Sequence, residues 1–277
     1  SKATMTATAR QKSRSGILYN ATWLRRAMRV SPLPEPLLTV TPFADVAVVD
    51  GDGLEEALQA SFERYGADQT IIVTRSNRRA VDFNLAVRRL VYDRMEILSA
   101  GERLVLAKNN YFWTRGVDGV DFLANGEVAV VDAVYGTEQR DCGLFADVRL
   151  LLPDLDVSLD ARLNLDSLTG DSAGLPRDKA LAVTRQALAD ADALEAAPTT
   201  QRRVLRSDPY YNALQVKYAY AVTCHKAQGG QWASVFVDMG YIPPEAYGSL
   251  EFYRWLYTAV TRATARVTFI NPVCRTR

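Results

Sequence analysis

Residues 216–238 read VKYAYAVTCHKAQGGQWASVFVD. Tyr218–Val222 is aromatic, small and β-branched, Ala233–Val237 is a second apolar run, and the segment between them is polar, so the pattern predicts strand, loop, strand. The loop holds Thr223, His225, Lys226, Gln228 and Gln231. Gly229 and Gly230 let its backbone approach a ligand closely or take positive φ. Groups that only donate or accept hydrogen bonds, placed at strand ends on a glycine-containing loop, suit a phosphate or a sugar better than chemistry on carbon. Taken alone, the stretch reads as an ordinary solvated loop, but it does not stand alone.

Residues 251–270 read EFYRWLYTAVTRATARVTFI. Phe252, Trp255, Leu256, Ala259 and Val260 recur at helical spacing with one apolar face, and Ala265–Ile270 alternates as a strand does. Arg262 falls at the helix end, where a permanently charged guanidinium can project toward an anion.

VTCHKAQGGQW and LYTAVTRA, in that order and spacing, resemble motifs V and VI of superfamily 1 helicases, closest to the RecD-like 1B branch. The resemblance implies an α/β fold: a RecA-like parallel sheet flanked by helices, the second such domain of a helicase. It implies that Arg262 reaches the γ-phosphate of ATP across the cleft between two RecA-like domains. Gln231, where the family usually carries Glu, and Gly230 beside it fall to the nucleotide, while Thr223, His225 and Lys226 fall to the backbone of single-stranded DNA.

The composition agrees with a globular chain: 277 residues, 48% hydrophobic and 23% charged. Thirty-three Lys and Arg against 32 Asp and Glu give a net charge of +1, so any basic footprint for nucleic acid is local. Three widely spaced cysteines and a single histidine, His225, exclude a Cys/His zinc site and suit a reducing compartment. With no apolar run long enough for a bilayer and no signal-peptide core, the sequence reads as a cytoplasmic protein without a membrane partner, expected to be a monomer.

In chain order, Arg10, Lys12 and Arg14 precede an amphipathic helix over 17–28. These cations read as a solvated helix start, but RQ…SGIL resembles the segment that opens the second RecA-like domain, which implies that Arg10 is a second arginine on the γ-phosphate. Four prolines make 31–43 an extended connector. A strand over 47–49, a helix over 53–64 and a buried strand over 70–74 come next. At the end of that last strand TRSN meets a new helix, where α/β proteins keep ligand groups, so Thr74, Arg75, Ser76 and Asn77 are candidates for a nucleic-acid phosphate. Arg78, Arg79, Arg88 and Arg89 read as an exposed helix face.

From residue 101 the pattern changes to short alternating strands, with Asn125-Gly126 as a hairpin signal. GERLVLAKNNY…NGEVAVV resembles the SH3-type barrel inserted into the second RecA-like domain of RecD-like helicases. Lys108, Asn109, Asn110, Tyr111 and Trp113 combine cation and aromatic, the composition that follows single strands by stacking, which makes Asn109 and Tyr111 candidates; an aromatic core beside a polar turn explains Tyr111 and Trp113 equally well. A helix is expected over 177–197. The division expected is residues 1–100 and 206–277 for the RecA-like domain and 101–205 for the barrel.

No G-x-x-x-x-G-K-[ST] occurs, so ATP and its Mg²⁺ are expected to be held by a first RecA-like domain outside this chain. The sequence therefore predicts the C-terminal part of an ATP-dependent DNA helicase in repair or recombination, inactive alone, with no metal site of its own. A non-catalytic nucleic-acid-binding module and a protein-interaction scaffold are the alternatives.

Overall fold

The computed structural model describes residues 15–277. The chain divides into two compact units, one formed by the described residues up to 93 with 220–277, the other by 94–219.

The first unit is a five-stranded sheet in the order β2 (Val46–Val49), β11 (Ala263–Ile270), β10 (Trp232–Asp238), β3 (Thr70–Thr74), β9 (Ala221–Thr223). Every neighbouring pair is parallel, with Thr74 opposite Thr223 at one end and Trp232 opposite Ala263 at the other. All of β3 is buried, the signature of a parallel strand covered on both faces. Ile71, Val73, Val235, Val237, Val267 and Phe269 form one core with helices α1 (Gly16–Ala27) and α6 (Leu250–Val260). Alternate residues turn to the opposite face. There Ser61 of α2 (Leu54–Tyr65) donates to Ser234 at 2.7 Å, and α3 (Asn77–Leu90) packs beside it.

Local chemistry fixes how α1 begins. Asp45 accepts from the Ser15 hydroxyl and the Gly16 amide, each at 2.8 Å, covering helix N–H groups that would otherwise lack partners. Gly16 permits the approach, since a Cβ there would lie 2.5 Å from Phe43 Cβ and Val46 Cγ2. The proline-rich connector expected to be extended over 31–43 is so only over 33–40, between a bend at 31–32 and a turn at 41–42 that the Phe43 amide closes on the Val40 carbonyl at 2.8 Å. Buried Asn20 ties it down by donating to the Thr39 carbonyl at 2.7 Å, and β1 (Leu37–Leu38) pairs in parallel with β12 (Arg275–Thr276).

The second unit is a closed five-strand barrel of β4 (Arg103–Leu106), β5 (Val128–Arg140), β6 (Gly143–Leu152), β7 (Val157–Asn164) and β8 (Leu214–Tyr218). Helices α4 (Arg177–Asp190) and α5 (Pro198–Ser207) interrupt it between β7 and β8. The helix expected over 177–197 thus ends at Asp190, and a second helix begins beyond that range at Pro198.

The expected strand over 218–222 is also divided. Tyr218 pairs with Leu104 and closes the barrel, whereas from Tyr220 the backbone joins the sheet, the Ile72 amide donating to the Tyr220 carbonyl at 2.9 Å. One apolar run serves two units, so the barrel unit continues to Ala219 where the sequence places its flank near Leu205. Asn125-Gly126 likewise does not join two paired strands directly. The Gly126 amide donates back to Leu106 at 2.9 Å at the close of the long connection from β4 to β5, and the tight hairpin lies at Asp141–Cys142, inside the Arg140–Gly143 pair.

Candidate functional site

The predicted residues of the sheet unit fall into two groups at opposite ends of the sheet. At the C-terminal ends of β3 and β9 stand Thr74, Arg75, Ser76, Asn77, Thr223, His225 and Lys226; at the N-terminal ends of β10 and β11 stand Gly230, Gln231 and Arg262. The length of β10 separates them by roughly 20 Å at about 3.3 Å per residue.

At the first end Thr74 is buried and its hydroxyl donates to the Ser76 carbonyl at 3.0 Å, so it shapes the turn rather than facing solvent. Ser76 caps α3, its hydroxyl accepting from the Arg79 amide at 3.2 Å, and Asn77 is the first helical residue. Thr223 ends β9 half-buried, and His225 is exposed on the loop after it. Lys226 is half-buried, and burial lowers its ammonium pKa. The Arg75 guanidinium sits 5.6 Å from the Trp255 ring. Arg75 Nη1 and Trp255 Nε1 are buried donors with no acceptor among the described residues. Buried N–H groups normally find a partner, so this adjacent pair is chemically incomplete toward an oxygen acceptor.

At the second end Arg262 lies folded against its surroundings. Nη1 donates to the Gly230 carbonyl at 3.0 Å, Nε to the Thr258 carbonyl at 3.1 Å, and Nη2 to the Thr261 hydroxyl at 3.2 Å. A guanidinium has five N–H groups, so one on each terminal nitrogen remains for an anion. Gly230 admits the Trp232 ring, which a Cβ there would meet at 2.3 Å. Gln231 is exposed beside it.

Residues 224–231 connect the two ends and lie along α6. The Cys224 amide bonds to the Thr74 carbonyl at 3.0 Å and its thiol contacts the Trp255 carbonyl at 3.6 Å, while the far end of the loop holds Arg262 through Gly230.

Sequence reading missed the residues that hold these groups in place. Asn84, 3% exposed on α3, accepts from the Tyr220 and Ala221 amides at 2.9 and 2.8 Å and donates to the Ala221 carbonyl at 2.9 Å, which satisfies the outer backbone of edge strand β9. Arg79, expected on an exposed face, makes a bidentate pair with buried Asp238 at 2.7 and 2.9 Å, fixing the start of α3 against the end of β10. Arg88, from the same expected face, is only 4% exposed. A run of arginines reads as solvated, and no sequence signal separates these two from Arg78 and Arg89.

All three cysteines are buried and free. Burial pushes the Cys224 thiol up to about 11, although Arg262 pulls it the other way, and the Cys274 thiol up to about 12. The thiolate is the nucleophile. Iodoacetamide at pH 8 should therefore leave both unmodified in the folded chain and alkylate them in denaturant, as mass spectrometry would show. Since unfolded thiols ionise near 9.0, these two groups make stability fall as pH rises from there toward 11.

Two predicted residues lie in the barrel unit: the Asn109 side chain accepts from the Asn125 amide at 2.7 Å, and Tyr111, 61% exposed, stacks on Phe122. The Trp113 indole donates to the Asn212 carbonyl at 2.9 Å, which fits the core reading. Arg10 lies outside the described residues.

Residues 218–270 match the family model described as UvrD-like helicase C-terminal domain, a span that includes the loop 224–231 and Arg262. No curated protein matches the chain. Among solved structures, the chain is similar to a Pif1 helicase from Candida albicans at 18% identity, covering 63% of this chain and 32% of that one, with a TM-score of 0.32. A Pif1 helicase from Bacteroides in complex with ADP-AlF3 and single-stranded DNA matches at 11% identity over 93% of this chain and 49% of that one, TM-score 0.42. A structure of two coordinating Pif1 helicases unwinding forked double-stranded DNA matches at 10% identity over 92% and 46%, also with a TM-score of 0.42. The chain thus spans less than half the length of each of these proteins.

Proposed function

We propose that this chain supplies the second RecA-like domain, with an inserted SH3-type barrel, of an ATP-dependent DNA helicase, and that the two ends of its sheet serve nucleotide and strand separately. The observation that carries this reading is that one loop, 224–231, bears polar groups at both ends of a single parallel sheet and is tied to Arg262 at one of them. The match of residues 218–270 to a helicase C-terminal domain supports it.

The N-terminal end suits part of an ATP site only. Arg262 with two N–H groups to spare and the Gln231 amide fit anionic and hydroxyl oxygens. The sequence has no G-x-x-x-x-G-K-[ST], so the phosphate cradle and Mg²⁺ would come with the ATP-binding domain. ATP bound there supplies the transferable phosphoryl group. Arg262, joined by Arg10, neutralises charge developing on that group, a purely electrostatic contribution.

At the C-terminal end the phosphates of single-stranded DNA supply the acceptors that Arg75 Nη1 and Trp255 Nε1 lack. Thr223, His225, Lys226, Ser76 and Asn77 add hydrogen bonds around them, and Thr74 holds the turn. A non-catalytic binding module would use this end alike but has no use for an arginine held at the other.

Binding of fluorescent oligo-dT to the 277-residue chain across a salt series tests the assignment. Affinity should fall steeply with salt, and Thr223→Ala and His225→Ala should each weaken it. Arg75→Ala should cost about tenfold and make the salt slope shallower by about one. Unchanged affinity in all three variants would remove strand binding from this end of the sheet.

A further inference from the structure

We infer that the barrel unit carries a pocket for a single nucleotide, a base with its attached phosphate, between the 108–115 loop and the 206–215 segment. This goes beyond the motor reading, because the pocket lies wholly within residues 94–219 and uses none of the residues assigned to ATP or to the sheet's strand edge.

A cavity of about 420 Å³ opens here, large enough for a nucleotide. Its lining includes three cations, Lys108, Arg115 and Arg206, and no carboxylate. In a chain whose acidic and basic residues are nearly equal in number, that is a local positive field. Arg115 donates to the Arg206 carbonyl at 3.2 Å, which sets two of the cations side by side on one wall. Exposed cations held near one another without acidic partners suit a phosphate.

The base would be met by tyrosine. Tyr111 and Tyr211 both line the cavity with their rings exposed. Tyr210, by contrast, is a fixed wall: its hydroxyl donates to Glu138 at 2.6 Å and the Arg140 and Arg162 guanidinium groups each lie 4.0 Å from its ring. Stacking on an exposed tyrosine accepts any base.

Two amides supply edge donors. The Asn164 oxygen accepts from the Asp166 amide at 3.1 Å and the Gln215 oxygen from the Leu175 amide at 2.9 Å, so the oxygen of each is fixed by a backbone N–H. Their NH2 groups make no hydrogen bond among the described residues, although Asn164 is only 2% exposed. With its oxygen fixed in this way, each amide presents its NH2 group as a donor to a base edge or a phosphate. The sequence shows one wall of this site, the cation-and-aromatic stretch 108–111, but not the other, which stands about a hundred residues on, and the α4–α5 segment that helps to build it shows no motif.

Photo-cross-linking of the 277-residue chain with an oligo-dT carrying one 5-iododeoxyuridine, and in parallel with free 5-iododeoxyuridine monophosphate, tests the pocket. The expected adduct maps to the peptide holding Tyr111 or Tyr211 and drops about tenfold in Tyr111→Ala/Arg206→Glu, two exposed positions whose loss leaves the circular dichroism melt unchanged. It persists in Arg75→Ala, which separates it from the sheet edge. Labelling by the free monophosphate identifies a dissociable nucleotide as the occupant; labelling by the oligonucleotide alone identifies a base within a strand. Adducts in neither peptide, or adducts indifferent to Tyr111→Ala/Arg206→Glu, would overturn the inference.

Discussion

In the full-length protein, Arg262→Ala is expected to lower ATP turnover by about 10³-fold or more, the usual effect of removing an arginine that meets transition-state charge. Single-stranded DNA affinity should stay within about threefold, because the strand end of the sheet is far enough away for the two effects to be independent. Arg262→Lys should not restore turnover. Its ammonium is a point charge without the planar fork that now reaches the Gly230 carbonyl and the Thr261 hydroxyl together while keeping N–H groups for an anion. Steady-state phosphate release at saturating ATP and DNA checks all three statements; turnover that survives Arg262→Ala would remove the assignment.

Asn84→Ala should produce the largest loss of stability. Its side chain satisfies two backbone amides and one carbonyl on the outer side of β9. Leaving buried backbone groups without partners costs about 1–3 kcal/mol each, moderated here because an edge strand can admit water, so a total of about 3 kcal/mol is expected. Urea denaturation would show it as a lower midpoint with an unchanged slope. Because β9 delivers Thr223, oligo-dT affinity should fall alongside stability; a variant that keeps both would mean that pairing with β3 alone positions the strand.

What was legible in the sequence and what was not divides along physical lines. Strands β3, β10 and β11 and helices α1, α2 and α6 were readable because burial on one face or two imposes a period on the side chains. The positions of the loop 224–231 and of Arg262 were readable from the polar break between two apolar runs and from the helical spacing of 252–260, whereas their roles came only from the resemblance. The division of the apolar run at Tyr218 and Tyr220 was not, since a barrel strand and a sheet-edge strand ask for the same residues. Neither was the separation of the candidate residues into two ends of the sheet, which is set by strand order and direction rather than by proximity in the chain. Asn84, Arg79 and Arg88 escaped because a polar residue in a helix takes its role from what faces it. Asp238, the partner of Arg79, lies at the end of β10, far along the chain from that helix.

The most direct test of two separate ends served by one sheet is ATP turnover of the full-length protein measured against single-stranded DNA concentration, for Arg75→Ala beside Arg262→Ala. Arg75→Ala should raise the DNA concentration giving half-maximal turnover by about tenfold, the worth of one charged hydrogen bond to phosphate, while maximal turnover stays within about twofold; Arg262→Ala should do the reverse. Loss of maximal turnover in Arg75→Ala with an unchanged half-maximal DNA concentration would contradict the account.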